Sequence, residues 1–178
     1  IPLGGEIITL DIAKTIGCPM DVAEDLKIRY GSAIEALASE EEIIVSGVED
    51  CSREVDSKML SSIVEARIAE ILSQAKFKID NRVRIENLSF GVVLTGGGSE
   101  LKNIAEFSEN MFQSRVRIGK PTKNIESVEE HIFKPKYSTA IGIIKYAIDH
   151  KEDLESGTGR KRGFFKDFFT SLKELFNN

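Results

Sequence analysis

Apolar residues recur at intervals of three and four along several stretches of the chain, and this spacing is typical of amphipathic helices. In the first such stretch, Ile8, Ile12 and Ile16 repeat at helical spacing. The pattern predicts helices over residues 5–16, 20–31, from Asp56 or Ser57 to about Lys78, 99–112 and 137–148. The last of these is almost continuously apolar, so we expect it to lie buried between layers of the fold.

Short apolar runs bounded by turn residues predict four strands. They cover residues 42–46, 52–55, 90–94 and 116–118, and the first two flank a turn at Gly47. Strands that alternate with helices are typical of α/β domains. The sequence therefore predicts a mixed α/β fold.

Three consecutive glycines follow the apolar run Phe90–Leu94 and form the most distinctive local feature of the chain. Gly96, Gly97 and Gly98 remove every side chain between the predicted strand and the helix that Ser99 opens. Bare backbone lets a flat ligand approach closely, and a helix start offers unpaired N–H groups at a positive dipole end. Both properties suit a nucleotide. The spacing matches neither standard phosphate-binding motif, however, and a purely structural turn accounts for the glycines equally well.

A second candidate site lies on the predicted helix 20–31. Glu24 and Lys27 are three residues apart, which places both side chains on the same face of that helix. A carboxylate and an ammonium in this arrangement could bracket the hydroxyls of a ribose and the edge of a purine. The alternative is an exposed ion pair within the helix, worth about 0.3 kcal/mol.

Composition narrows the classes of function. The 178 residues carry a formal net charge of −5, which argues against nucleic acid as the main partner. Cys18 and Cys51 lack metal-binding spacing and are expected to be buried free thiols in a reducing cytosol. His131 and His150 have polar neighbours, so we expect neither a nucleophile–base pair nor a metal site. No run of about 20 apolar residues occurs, so any membrane contact would be peripheral.

The end of the chain differs in character from the rest. Residues 149–163 are charged and glycine-containing, so we interpret them as a flexible linker, and residues 164–178 have the pattern of an amphipathic helix. A basic cluster precedes an apolar, largely aromatic face. The cluster is Arg160, Lys161 and Arg162, and the face consists of Phe164, Phe165, Phe168, Phe169, Leu172, Leu175 and Phe176. A basic, aromatic helix suits an anionic bilayer surface. The alternatives are docking onto the protein's own domain and insertion into a partner's groove.

With these features in place, the chain resembles the C-terminal half of proteins of the FtsA family. These are bacterial cell-division proteins that belong to the actin superfamily and bind ATP. The segments that carry the resemblance are Ile1–Gly5 with Asp11–Ala13, Ala23–Lys27 with Tyr30–Ala33, Val93–Leu101, Val116–Gly119, Tyr137–Gly142 and the amphipathic terminus. They are spread through almost the whole chain. The glycine triplet belongs to actins and sugar kinases in general, whereas the combination of segments is specific.

The resemblance implies an actin-like (ribonuclease H-like) α/β fold with a small α/β subdomain inserted. Residues 1–31 and 86–148 would form part of the nucleotide-binding subdomain, and residues 32–85 a smaller lobe. The residues implied in binding ATP are Gly96, Gly97, Gly98 and Ser99 as the adenosine motif, with Glu24 and Lys27 at ribose and base. The resemblance thereby favours a nucleotide site over a purely structural turn at the glycines and over an exposed ion pair on the helix 20–31.

The family's phosphate loops and its Mg²⁺ site lie upstream of the segments matched here. We therefore expect the natural protein to continue upstream, and its full length to be at most a weak ATPase. The present fragment should hold only the purine side of a nucleotide and should not hydrolyse ATP on its own.

The resemblance also implies an adaptor that tethers polymers of the tubulin-like protein FtsZ to the cytoplasmic membrane at the division site. The smaller lobe would bind the FtsZ C-terminal peptide, with Lys58 and Arg67 as exposed basic candidates. Asn103, which is uncharged, is a further candidate for contact with this peptide. Protomers would stack into actin-like filaments, and other division proteins could dock. The alternative function is a sugar-kinase-like or chaperone-like ATPase of the same superfamily, which has no evident need for a basic, Phe-rich tail.

Overall fold

Five α-helices and four short strands are found in the part of the chain that the computed structural model describes, residues 2–46, 52–85, 88–121 and 130–150. The helices are Gly5–Ile16 (α1), Met20–Tyr30 (α2), Ser57–Asp80 (α3), Ile104–Phe112 (α4) and Ser138–Asp149 (α5). The strands are Glu42–Ser46 (β1), Ser52–Asp56 (β2), Val92–Leu94 (β3) and Val116–Ile118 (β4). The chain divides into two compact units, residues 1–137 and 138–178.

One hydrophobic cluster joins α1, α2 and α3 in the first unit. Ile8 and Ile12 of α1 and Leu60 and Val64 of α3 are almost wholly buried in it. Helical spacing places these side chains on one face of each helix, so the helices predicted here are confirmed. Helix α3, which belongs to residues 32–85, thus shares its core with α1. That residues 32–85 form a separate, smaller lobe stays a prediction.

The strands β1 and β2 form an antiparallel pair in which Ile43 faces Val55. Both of these side chains are buried, whereas Ile44 on the opposite face is exposed, as a two-residue alternation requires. Asp56 ends β2 and begins α3, since its Oδ1 accepts a hydrogen bond of 2.8 Å from the Lys58 amide. The predicted strands are confirmed, and so is the predicted start of the helix at Asp56 or Ser57.

The strand that leads into the glycine-rich turn belongs to a second, parallel pair. In it, β3 lies beside β4 with Val92 opposite Val116. Strand β3 is shorter than the predicted strand 90–94, because Gly91 has a φ of 70° and leaves the extended conformation. Phe90, which precedes it, is 96% exposed. A Cβ on Gly91 would come within 2.2 Å of the Arg115 carbonyl oxygen, so this close approach requires glycine.

The helix predicted to open at Ser99 begins instead at Ile104, which corrects that expectation. Residues Gly97–Glu100 form one 3-10 turn, and the chain then extends for two residues before α4. Lys102 pairs there with the segment after α2, because its carbonyl oxygen accepts a 2.9 Å hydrogen bond from the Ala33 amide. This long-range pairing delays the helix, so its positive dipole end does not begin at the glycines.

In the second unit the described part is α5 with residue 150. The expectation that this helix is buried is wrong for the described residues, where Ala147 is buried while Ile143, Tyr146 and Ile148 are exposed. An apolar run reports hydrophobicity but does not say which neighbouring element covers it. Tyr146 instead stacks on His150, with 4.1 Å between the ring centroids.

The predictions for the cysteines, the linker and the membrane contact can be compared with the structure only where it describes the residues concerned. Cys18 is a buried free thiol, as predicted, and burial raises its pKa. Cys51, the turn at Gly47, most of the linker and the whole terminal helix lie outside the described residues. Among the described helices, none has the length and hydropathy needed to cross a bilayer.

Candidate functional site

A cavity of about 680 Å³ opens in the first unit between the helix pair α1–α2 and the glycine-rich turn. Its wall combines bare backbone, four apolar side chains and several charged ones. The lining residues are Gly5, Glu6, Ile8, Thr9, Met20, Asp21, Glu24, Lys27, Ile28, Gly97, Gly98, Glu100, Leu101 and Lys136. Residues from four separate parts of the chain thus meet at one cleft.

The glycine side of the cleft is open space. A Cβ added at Gly98 would meet nothing within 4 Å, and one at Gly97 would touch only the Lys136 Cβ at 3.7 Å. A flat ligand can therefore lie directly on this backbone. Two further residues of the predicted motif do not line the cavity but shape the turn. Gly96 takes a φ of 89°, and the buried Ser99 donates its hydroxyl to the Gly96 carbonyl at 2.8 Å.

Glu24 and Lys27 face the glycines from α2, so the structure brings Glu24, Lys27, Gly97 and Gly98 together. The two charged side chains form an ion pair of 2.6 Å. The pair is exposed on one side only, because 12% of the Lys27 side chain is accessible, against 45% for Glu24. An ion pair that lines a cavity is screened less than one on an open surface.

The surroundings of Glu24 favour its charged form. Burial raises the pKa of this carboxyl, but hydrogen bonds from Lys27 and Thr9, together with the charge of Lys27, outweigh it and leave the pKa lowered. Glu24 is therefore a carboxylate at neutral pH. A carboxylate only accepts hydrogen bonds, and a sugar hydroxyl is a matching donor.

Sequence reasoning missed several polar residues of the cleft, among them Thr9 and Lys136. Thr9 is buried on the apolar face of α1, and a polar residue on that face is the signal that could have found it. Lys136 is carried by a 3-10 turn, Pro135–Tyr137, whose first carbonyl accepts a hydrogen bond from the Gly96 amide at 3.1 Å. No local pattern marks Lys136, because its place depends on this contact.

The three partner-binding candidates are all engaged in contacts within the protein. Lys58 pairs with Glu40, and the Asn103 amide donates to the Ser32 hydroxyl at 2.9 Å. Arg67 was expected to be exposed, and this is corrected: only 25% of its side chain is accessible. It makes a two-point ion pair with Asp11 of α1, because α3 packs against α1 at this position.

No group of three or more His, Cys, Asp or Glu side chains suited to a metal ion occurs among the described residues. The chemistry that the described cleft offers is therefore hydrogen bonding, charge and apolar contact.

The fold resembles that of actin-like proteins of known structure. MreB5 of Spiroplasma citri bound to ADP aligns with 88% of this chain and 48% of its own, at a TM-score of 0.63 and 18% identity. The same protein bound to AMPPNP aligns with 89% and 47%, at a TM-score of 0.64 and 18% identity. The chain thus has an actin-like α/β fold, with a cleft at its glycine-rich turn.

Sequence comparison identifies the family within this class. Residues 1–142 match the family model described as cell division protein FtsA. The FtsA of Neisseria meningitidis serogroup B is 37% identical over all of this chain, and that of Escherichia coli K12 is 31% identical over 82% of it. The chain belongs to the FtsA family of cell-division proteins. It spans 44% and 37%, respectively, of the length of these two relatives.

Proposed function

We propose that this chain supplies the purine and ribose side of an ATP site in a cell-division adaptor. The observation that carries the proposal is the cleft itself, where the side-chain-free backbone of Gly97 and Gly98 faces the charged pair Glu24 and Lys27 across an open space. The cavity volume of about 680 Å³ is in the usual range for a small-molecule site. The ADP and AMPPNP in the solved actin-like structures support a nucleotide as the ligand.

The lining assigns different parts of the cleft to different parts of a nucleoside. The adenine would lie flat on the glycine backbone, with Met20 and Ile28 providing apolar contact at the edge of the cleft. The Glu24 carboxylate would accept a hydrogen bond from a ribose hydroxyl. This division uses the flat backbone for the base and the charged acceptor for the sugar.

The charge of the cleft argues that the phosphates point away from it. Its acidic lining residues outnumber the basic ones, with Glu6, Asp21, Glu24 and Glu100 against Lys27 and Lys136. Like charges repel in a partly enclosed site, so a triphosphate would be directed outward. The phosphates and Mg²⁺ would then be held mainly by the part of the relatives that this chain does not span.

The adaptor role extends the family assignment. We infer that the lobe of residues 32–85 binds the FtsZ C-terminal peptide and that the terminal helix holds FtsZ polymers at the cytoplasmic membrane of the division site. Self-association into actin-like filaments and contacts with other division proteins belong to the same proposal. Membership of a family of cell-division proteins supports these roles.

A nucleoside titration tests the proposed site directly. Adenosine added to the ¹⁵N-labelled chain should shift the backbone resonances of Gly97, Gly98 and residues of α2 around Glu24, because the base and sugar would lie on them. Uridine, with a smaller ring, serves as the comparison. Saturating adenosine that leaves these resonances in place would overturn the proposed site.

The peptide site is tested by charge reversal. Lys58→Glu and Arg67→Glu are each expected to weaken binding of an FtsZ C-terminal peptide by about five- to tenfold, because acidic groups on the peptide would lose an opposite charge. Affinity is measured by fluorescence anisotropy with a labelled peptide. Since Arg67 also binds Asp11, thermal unfolding is recorded for each variant, and an affinity loss counts only at temperatures where the variant is folded.

The matched control is Arg29→Glu, which reverses a charge in an exposed ion pair with Asp25 on α2. It should leave the peptide affinity unchanged, because α2 lies outside the proposed lobe. Equal binding by Lys58→Glu, Arg67→Glu and the unmodified chain would remove both residues from the site.

A further inference from the structure

The hydroxyl of Thr9 lies at the centre of a partly buried hydrogen-bond network on the wall of the cleft. Thr9 is 2% exposed, and its Oγ1 contacts three groups. These are the Gly5 carbonyl at 3.2 Å, the Lys27 ammonium at 2.7 Å and Oε2 of Glu24. Such a hydroxyl links the start of α1 to two charged residues of α2.

The protons of Lys27 are all engaged in this network. Its ammonium donates to the Gly5 carbonyl at 3.1 Å, to Thr9 at 2.7 Å and to Glu24 at 2.6 Å. An ammonium has three N–H donors, so this arrangement uses every one. Lys27 therefore has no proton left to give a nucleotide, although the resemblance to the FtsA family implies a direct contact.

The Thr9 proton completes the arrangement. Lys27 donates to the Thr9 oxygen, so the single proton of that hydroxyl is available for an acceptor of its own. A charged carboxylate is a stronger acceptor than the Gly5 carbonyl, so the proton goes to Glu24. Lys27 and Thr9 thus both hold Oε2, which leaves the second oxygen, Oε1, for a ligand.

We propose that Thr9 is a positioning residue, whose buried hydroxyl acts with Lys27 to fix the Glu24 carboxylate so that Oε1 accepts a ribose hydroxyl. The inference rests on the proposed nucleotide site and goes further, because it makes Glu24 the direct ligand and Lys27 a support that acts through Glu24. A fixed acceptor costs less ordering on binding than a free one, and this would show as selectivity for the ribose.

The test compares adenosine with 2′-deoxyadenosine and 3′-deoxyadenosine, using calorimetry on the full 178-residue chain. The unmodified chain should prefer adenosine over at least one deoxy form by about tenfold, the effect of one hydrogen bond to a charged group. Thr9→Val replaces the hydroxyl with a methyl group of similar size and should abolish the preference. Thr9→Ser restores the hydroxyl and should keep it, which a purely steric role would not predict.

Two further variants keep the test decisive even if Thr9→Val does not fold. Lys27→Met should lose the ribose preference but retain binding of the base. Glu24→Gln should likewise lose the preference, and adding Lys27→Met to it should not change the ratio of the affinities for adenosine and the deoxy forms any further, because Lys27 and Thr9 act only through Glu24.

Each outcome separates the inference from the function on which it rests. If the unmodified chain binds none of the three nucleosides, the proposed nucleotide site fails. If it binds adenosine but shows no ribose preference, the contact between Glu24 and the ribose fails together with the role of Thr9 and Lys27, while the base site on the glycines stands. If the preference is present and Thr9→Val or Lys27→Met keeps it, only the role of Thr9 and Lys27 is overturned.

Discussion

Replacing Gly98 with Phe is expected to reduce adenosine binding by about hundredfold or more, which corresponds to about 2.7 kcal/mol. A Cβ at Gly98 meets nothing within 4 Å, and the backbone there is not in the left-handed region that favours glycine. The variant should therefore fold normally while its ring occupies the place proposed for the base. Gly96 is less suitable for this experiment, because its φ of 89° would strain any other residue.

The measurement is a calorimetric titration of each variant with adenosine, together with its thermal unfolding midpoint. Gly142→Phe is the matched control, since a Cβ at Gly142 also meets nothing within 4 Å and this residue does not line the cavity. The control should bind adenosine as the unmodified chain does. Undiminished binding by a folded Gly98→Phe protein would place the nucleoside elsewhere.

Removal of the residues after Ser156 is expected to abolish flotation of the chain with vesicles that contain phosphatidylglycerol. From residue 160 onward the sequence holds five Lys or Arg against two acidic residues, and its aromatic residues share one predicted helical face. Burial of about 150 Å² per aromatic side chain at about 25 cal/mol per Å² amounts to several kcal/mol in total. This prediction rests on the sequence alone, because the segment lies outside the described residues.

A double substitution and a matched control show whether the aromatic face is responsible. Phe168→Ser with Phe169→Ser should reduce flotation sharply, whereas the control Thr170→Ser should not change it. Vesicles of neutral phosphatidylcholine should bind the unmodified chain more weakly, since the basic cluster then lacks its anionic partner. Equal flotation of the complete and shortened chains would refute the tether and leave docking onto a protein surface as the explanation of the tail.

The positions of α1, α2 and α3 could be predicted because their pattern is local. Residues such as Ile8 and Ile12 are close in sequence, so a helix brings them to one face whatever the rest of the chain does. The same holds for Glu24 and Lys27, whose spacing alone places them side by side on α2. The absence of side chains at Gly97 and Gly98 is likewise a property of the sequence itself.

The tertiary structure decided which of these features meet and how they are used. It delayed α4 to Ile104, because Lys102 pairs with a segment about 70 residues earlier in the chain. It also bound Arg67 to Asp11, although the sequence predicts an exposed cation. Both outcomes depend on contacts between distant segments, which a local pattern does not contain.

The sequence by itself thus determined the bare backbone of the turn, the charged pair on α2 and the apolar faces of the helices. The tertiary structure alone placed the turn opposite the pair, brought Lys136 beside the glycines and buried Thr9 where it reaches both charges. The physical reason is that propensity and periodicity act over a few residues, whereas a cleft is formed by packing between helices that the chain order does not specify.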